Sequence, residues 1–215
     1  MSPLKLYHFN ASAPSRGALL AARAVGVPFE IEVVDLFKKE QLQESFLKIN
    51  PQHCVPTLDD NGFILWESRA IASYLVDKYA KDDQFYPKDL QRRALVNQRL
   101  FFDGATLYPK IRAICHPILR LGVTEINEKL RDDLNIALGH LDEFLSATKW
   151  AAGDNPTIAD TSLFASVSNI LEIQWDISSY PNIQRWVEQC ASLPGAEENA
   201  EGARLFGSCV RKNLK

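Results

Sequence analysis

Apolar and polar positions change period several times in the first eighty residues. Leu4-Lys5-Leu6-Tyr7-His8-Phe9 is a short, largely apolar run that reads as a strand buried on both faces. The turn formers from Asn10 to Pro14 follow, and the Ala/Leu-rich stretch from about Ser15 to Val25 predicts a helix closed by Gly26. Phe29, Ile31 and Val33 alternate with Glu30 and Glu32, the period of a half-exposed strand. A short helix over Leu42 to Ile49 must stop at Asn50-Pro51, because the residue before proline avoids the helical region. Thr57-Leu58 and Phe63-Ile64-Leu65 flank Asp60-Asn61-Gly62, a hairpin signal, and helical spacing returns from Ser68 to Tyr79.

That order of strand, helix, strand, helix, hairpin and helix makes a mixed α/β sheet covered on both sides, as in thioredoxin-like domains. Asp82 to Pro87 is polar and proline-bearing, a linker composition. Beyond it the pattern is all-α: Leu90 to Arg112, Ile126 to Leu145, Ile158 to Ile173 and Ile183 to Leu193, with Pro109 and Pro117 expected to bend or interrupt the first region. The expected architecture is a thioredoxin-like domain over 1–80, a linker over 81–88 and a C-terminal helical bundle over 89–215. No internal repeat is present.

Composition narrows the function. The 215 residues are 46% hydrophobic, enough for an ordinary core, and carry a net charge of −3 with no basic stripe, which argues against nucleic acid. Charges such as Arg23 interrupt the long apolar stretches, so no membrane span is expected. The start lacks the pattern of a signal peptide, and four scattered cysteines without C-x-x-C fit a reducing, cytoplasmic setting. His53-Cys54 and Cys115-His116 lack metal-ligand spacing, so no metal is expected.

Two segments carry binding chemistry. Val55, before Pro56, can offer its N–H and C=O as a strand edge does, and the Glu67-Ser68 step opens a helix whose free N–H groups suit a carboxylate. Together they suit a small, extended, acidic peptide, and glutathione fits. Ser12-Ala13-Pro14-Ser15 stands where a dithiol oxidoreductase would carry Cys-x-Pro-Cys, which disfavours dithiol exchange. On spacing alone Ser12 is a turn or N-cap serine, with Ser15 a rival for the cap. Thr157-x-x-Asp160 has capping-box spacing and reads as structural.

Six motifs in order resemble the cytosolic glutathione transferases, the insect Delta class and, less sharply separated, the Epsilon class. They are Ser-x-Pro-x-Arg at Ser12 to Arg16, Asn50-Pro51-Gln52-His53, Glu67-Ser68-Arg69-Ala70-Ile71, Tyr86-Pro87-Lys88-Asp89, Asn97-Gln98-Arg99-Leu100 and Thr157-Ile158-Ala159-Asp160. The resemblance implies that Ser12 donates a hydrogen bond to the thiolate of glutathione. It implies that His53 meets the glycine end, that Val55 pairs with the cysteinyl backbone beside a cis Pro56, and that Glu67 and Ser68 receive the γ-glutamyl amine and carboxylate. Arg69 is expected behind them, linked to Asp103 of a second subunit or simply solvated. At Gln41 the family often has histidine, so the glycyl carboxylate meets an uncharged donor here. Tyr108, Arg112, Cys115 and Leu119 recur at helical spacing and, with Phe206, line an electrophile pocket or, in the plainer reading, belong to the core. The implied protein is a homodimer with reduced glutathione as co-substrate and no permanent cofactor. It conjugates small hydrophobic electrophiles in detoxification, with peroxidase or dehydrohalogenase chemistry open to the same thiolate. A non-catalytic carrier of apolar ligands is the alternative.

Overall fold

The computed structural model describes residues 4–214. Its first part holds β1 (Leu4–His8), α1 (Ala13–Val25), β2 (Phe29–Val33), a 3-10 turn (Glu40–Leu42), α2 (Glu44–Leu47), β3 (Thr57–Asp60), β4 (Phe63–Trp66) and α3 (Ser68–Tyr79). The sheet order is β2-β1-β3-β4, with β1 and β2 parallel and the other pairs antiparallel. The helical part holds α4 (Leu90–Phe102), a π-turn (Asp103–Leu107), α5 (Tyr108–Arg120), α6 (Glu128–Ser146), α7 (Ile158–Glu172), α8 (Pro181–Cys190) and α9 (Ala196–Arg211).

Several expectations shift. β1 buries Leu4, Leu6 and His8 but leaves Lys5 and Tyr7 half-exposed, so it is buried fully on one face only. β2 is an edge strand, and Ile31 and Val33 stay exposed; the charges at Glu30 and Glu32 guard that edge against pairing. The helix expected over 42–49 contracts to a 3-10 turn and one turn of α2. The expected helix from Leu90 to Arg112 continues to Arg120 through the π-turn. Pro109 lies in the first turn of α5, where its missing N–H cannot bond the preceding turn, and Pro117 is accommodated inside α5.

One helix escaped the hydrophobic pattern altogether. The buried face of α9 is Asn199, Gly202, Ala203, Gly207 and Val210, too small and polar to register as an apolar stripe. Small residues are needed because α9 presses on the turn before α1. A Cβ at Gly202 would fall 2.3 Å from the Asn10 carbonyl oxygen and 2.5 Å from Cδ of Arg16. Gly202→Ala is therefore expected to cost about 1–3 kcal/mol by overpacking, read by urea denaturation. A variant as stable as the parent would contradict so close an approach.

α1 packs on α3 beneath the sheet and on α7 of the helical part, so its N-terminus is held from both sides. The cap of α7 is a complete capping box. Asp160, fully buried, accepts from the Thr157 N–H at 2.8 Å and its hydroxyl at 3.0 Å, and also from the Ala151 N–H at 2.8 Å and Trp186 Nε1 at 2.9 Å.

Candidate active site

The N-terminus of α1 is the focus of the molecule. Ser12 has extended backbone (φ −86°, ψ 113°) and is the N-cap: its Oγ accepts from the Ser15 N–H at 3.4 Å. The Ser15 hydroxyl, in contrast, is fully buried and has no hydrogen-bond partner among the described residues, and Ser12 holds the cap position. The capping and chemical readings of Ser12 are compatible. An oxygen lone pair serves the helix, while the hydroxyl proton remains free to donate into the cavity that Ser12 lines.

Arg16 buttresses this turn from behind, a role sequence reasoning left unassigned although Arg16 closes the Ser-x-Pro-x-Arg motif. Its guanidinium is fully buried and donates to the Asn10 carbonyl at 2.9 Å, Asn199 Oδ1 at 2.9 Å, the Ala165 carbonyl at 3.1 Å and Asn169 Oδ1 at 2.6 Å. These partners come from the β1–α1 turn, α7 and α9, and none is a carboxylate. Burial pushes the guanidinium down to about 9, which still leaves a cation at neutral pH. The helix dipole and this uncompensated charge therefore both favour an anion beside Ser12.

Two cavities meet here. The first is lined by Phe9, Ser12, Tyr108, Cys115, Leu119 and Phe206, among others. The whole expected stripe, Tyr108, Arg112, Cys115 and Leu119, thus faces one space with Ser12 and Phe206. Burial pushes the Cys115 thiol up to about 12, so it stays protonated and acts as an apolar wall. Burial likewise raises Tyr108 above the ordinary phenol range, against the pull of Arg112 and Arg69.

The second cavity is lined by Pro14, Cys54, Val55, Pro56, Glu67, Ser68 and Arg69, and shares Tyr108 and Arg112 with the first. The Val55–Pro56 peptide is cis. Glu67 sits at φ +73°, disfavoured for a residue with a side chain, at a cost on the order of 1–3 kcal/mol. It holds the N-cap position of α3 without a side-chain cap bond, so the first N–H groups of α3 remain open to a ligand.

Gln41 and His53 line neither cavity. Gln41 lies in the 3-10 turn, and His53 is exposed in the loop before Cys54 with φ +46°.

Asp103 pairs within its own chain, where an Arg69 link to a second subunit or a solvated Arg69 was expected: Arg69 donates to Asp103 Oδ2 at 2.5 Å, as does the Ser162 hydroxyl at 2.5 Å. Asp103 is fully buried at the start of the π-turn, and Gly104 beside it leaves room, since a Cβ there would lie 3.1 Å from Arg69 Nε.

Models of the glutathione S-transferase N-terminal and C-terminal domains match residues 2–77 and 109–194. A solved structure described as glutathione S-transferase unclassified 2 from Bombyx mori is 71% identical over all of both chains, with a TM-score of 0.97. This chain belongs to the glutathione transferase family. A delta-class glutathione transferase from Nilaparvata lugens is 45% identical, covering 98% of this transferase and all of that chain (TM-score 0.94). A glutathione transferase homologue from Drosophila mojavensis, solved with bound glutathione, is 37% identical over all of this chain and 99% of that one (TM-score 0.95). The insect Delta/Epsilon resemblance and the thioredoxin-like-plus-helical fold stand. Among the described residues no helix of the transferase is long and apolar enough to cross a membrane.

Proposed function

We propose that this transferase conjugates reduced glutathione to small hydrophobic electrophiles in the cytoplasm, with Ser12 holding the co-substrate as its thiolate. The observation that carries the proposal is the Ser12 hydroxyl, fixed as the α1 N-cap on the first cavity, two residues from Pro14 on the second, and backed by the Arg16 cation. The second cavity takes glutathione. Val55 pairs with its cysteinyl backbone, Glu67 takes the γ-glutamyl amine, and Ser68 with the open N–H groups of α3 takes the carboxylate. His53, from the loop before Cys54, and Gln41, from the 3-10 turn, meet the glycine end. The first cavity takes the electrophile against Tyr108, Arg112, Cys115, Leu119 and Phe206. Thiolate sulfur attacks the electrophilic carbon; a carbon–sulfur bond forms, and the leaving group, a halide for an aryl halide, departs with its electron pair. Residues 1–80 and 89–215 act as the glutathione and electrophile units joined by 81–88, and two copies form a homodimer. The bound glutathione of the Drosophila mojavensis relative supports the co-substrate. The decisive test is initial-rate conjugation of a chromogenic aryl halide; no turnover despite retention on immobilised glutathione would favour a carrier.

Asp103 acts through Arg69. Asp103→Asn removes the charge partner of a half-buried cation next to the glutathione cavity. The expected result is a KM for glutathione raised about fivefold to tenfold, some 1–1.4 kcal/mol, with a smaller change in kcat. An unchanged KM would place the pair outside glutathione binding.

A further inference from the structure

The electrophile cavity mixes apolar and basic residues. Phe9, Phe37 and Phe206 are apolar, as are Ile111, Cys115 and Leu119 of α5. Between these on the same helix, Arg112, His116 and Arg120 recur every fourth residue and all line the cavity. At 1.5 Å per residue they span about 12 Å along the helix. No aspartate or glutamate lines the cavity, although the whole chain carries 27 acidic residues against 24 lysines and arginines. Among the described residues none of the three basic groups is in a salt bridge. A solvated helix face normally mixes signs. The helix dipole favours a cation in the last turn, which accounts for Arg120 but not for Arg112 or His116.

Arg120 is also held in place. Its Nη2 donates to the Leu36 carbonyl at 3.2 Å, and the guanidinium lies 5.7 Å from the ring centroid of Phe37, itself edge-on to Phe9 at 5.2 Å. One N–H is used there, and the remaining donors of the fork stay available. Arg112 lies at the junction with the second cavity, whereas His116 and Arg120 line only the first.

We propose that the electrophiles this cavity selects are apolar molecules carrying an anionic group at the end remote from the reacting carbon, which His116 and Arg120 receive. This rests on the conjugating function proposed above and names its substrate class. An α,β-unsaturated carbonyl chain ending in a carboxylate is one such molecule. Thiolate sulfur adds to its β-carbon, the π pair moves to form the enolate, and water protonates the enolate, with no leaving group.

The test is calorimetric titration of octanoate and, separately, 1-octanol into the whole protein at saturating glutathione. A purely apolar cavity prefers the alcohol, since a carboxylate loses more hydration on entry. The expected result is octanoate bound about tenfold more tightly than octanol. In the His116→Gln, Arg120→Gln double variant that preference disappears while octanol affinity changes less than about twofold, and Arg120→Lys keeps most of it. Octanol bound as tightly as octanoate, or a preference that survives the double variant, would overturn the proposal. Wild-type turnover of a neutral aryl halide is measured beside it. Its absence with the octanoate preference intact sinks conjugation alone; its presence without the preference sinks only the substrate class.

Discussion

Ser12→Ala is expected to lower kcat/KM for the electrophile, at saturating glutathione, by about tenfold or more at pH 6.5, with the deficit closing as pH rises to about 9. A free thiol near pKa 8.5 is about 1% ionised at pH 6.5, and a depression of about two units makes it about half thiolate. Ionisation alone therefore gives a deficit of about 50-fold. The less acidic thiolate left in the variant is intrinsically more nucleophilic, by roughly eightfold for a Brønsted slope near 0.45, which offsets part of it. Lost positioning of the sulfur acts in the opposite direction. Those two factors do not depend on pH, so the change in the deficit is diagnostic. It should shrink by about 40-fold between pH 6.5 and 9, because the lowered pKa matters only below the free-thiol value. A deficit constant with pH would mean that Ser12 only places the sulfur. Loss of the N-cap adds a stability cost of about 1 kcal/mol or less, given the long 3.4 Å bond.

Asp160→Ala carries the largest expected effect on stability, about 3–5 kcal/mol. Four donors converge on this fully buried carboxylate, and alanine would leave the backbone N–H groups of Ala151 and Thr157, the Thr157 hydroxyl and the Trp186 indole unpaired. For a chain of this length such a loss lowers Tm by roughly 6–20 °C. Asp160→Asn keeps the shape and one acceptor but turns an amide toward N–H donors, so an intermediate loss is expected. The consequence reaches Ser12, because α7 supplies the Ala165 carbonyl and Asn169 to Arg16. Denaturant unfolding measures the effect, and a change below about 1 kcal/mol would show that the network contributes little.

The elements with one strong period were legible in the sequence. α1 had its Ala/Leu run and a closing Gly26, the hairpin had Asn61-Gly62, and α3 had its apolar spacing after Glu67-Ser68. Part of the cavity lining was legible: Ser12, Glu67, Ser68 and Arg69 fall in motifs, and Tyr108, Arg112, Cys115 and Leu119 at helical spacing. What escaped depended on neighbours distant in the chain. α9 buries small residues because Gly202 meets the turn at Asn10 and Gly207 meets Glu172 of α7, where nothing larger fits. Arg16 had no assigned role in the sequence, because its partner Asn199 lies 183 positions away. For Arg69 the sequence offered Asp103 of a second subunit or solvent, because spacing does not tell an intrachain partner from one across a dimer; the pair lies within one chain. His116 and Arg120 carried no role in the sequence reading, and only the cavity shows that both line it.

The most direct test of the central claim is titration of the bound glutathione thiol by its ultraviolet thiolate absorbance, in the wild type and in Ser12→Ala. The expected apparent pKa is about two units below the free value of about 8.5 in the wild type, returning to within about half a unit of it in the variant. A bound thiol that titrates like free glutathione in the wild type, or a depression that survives the loss of Ser12, would contradict it.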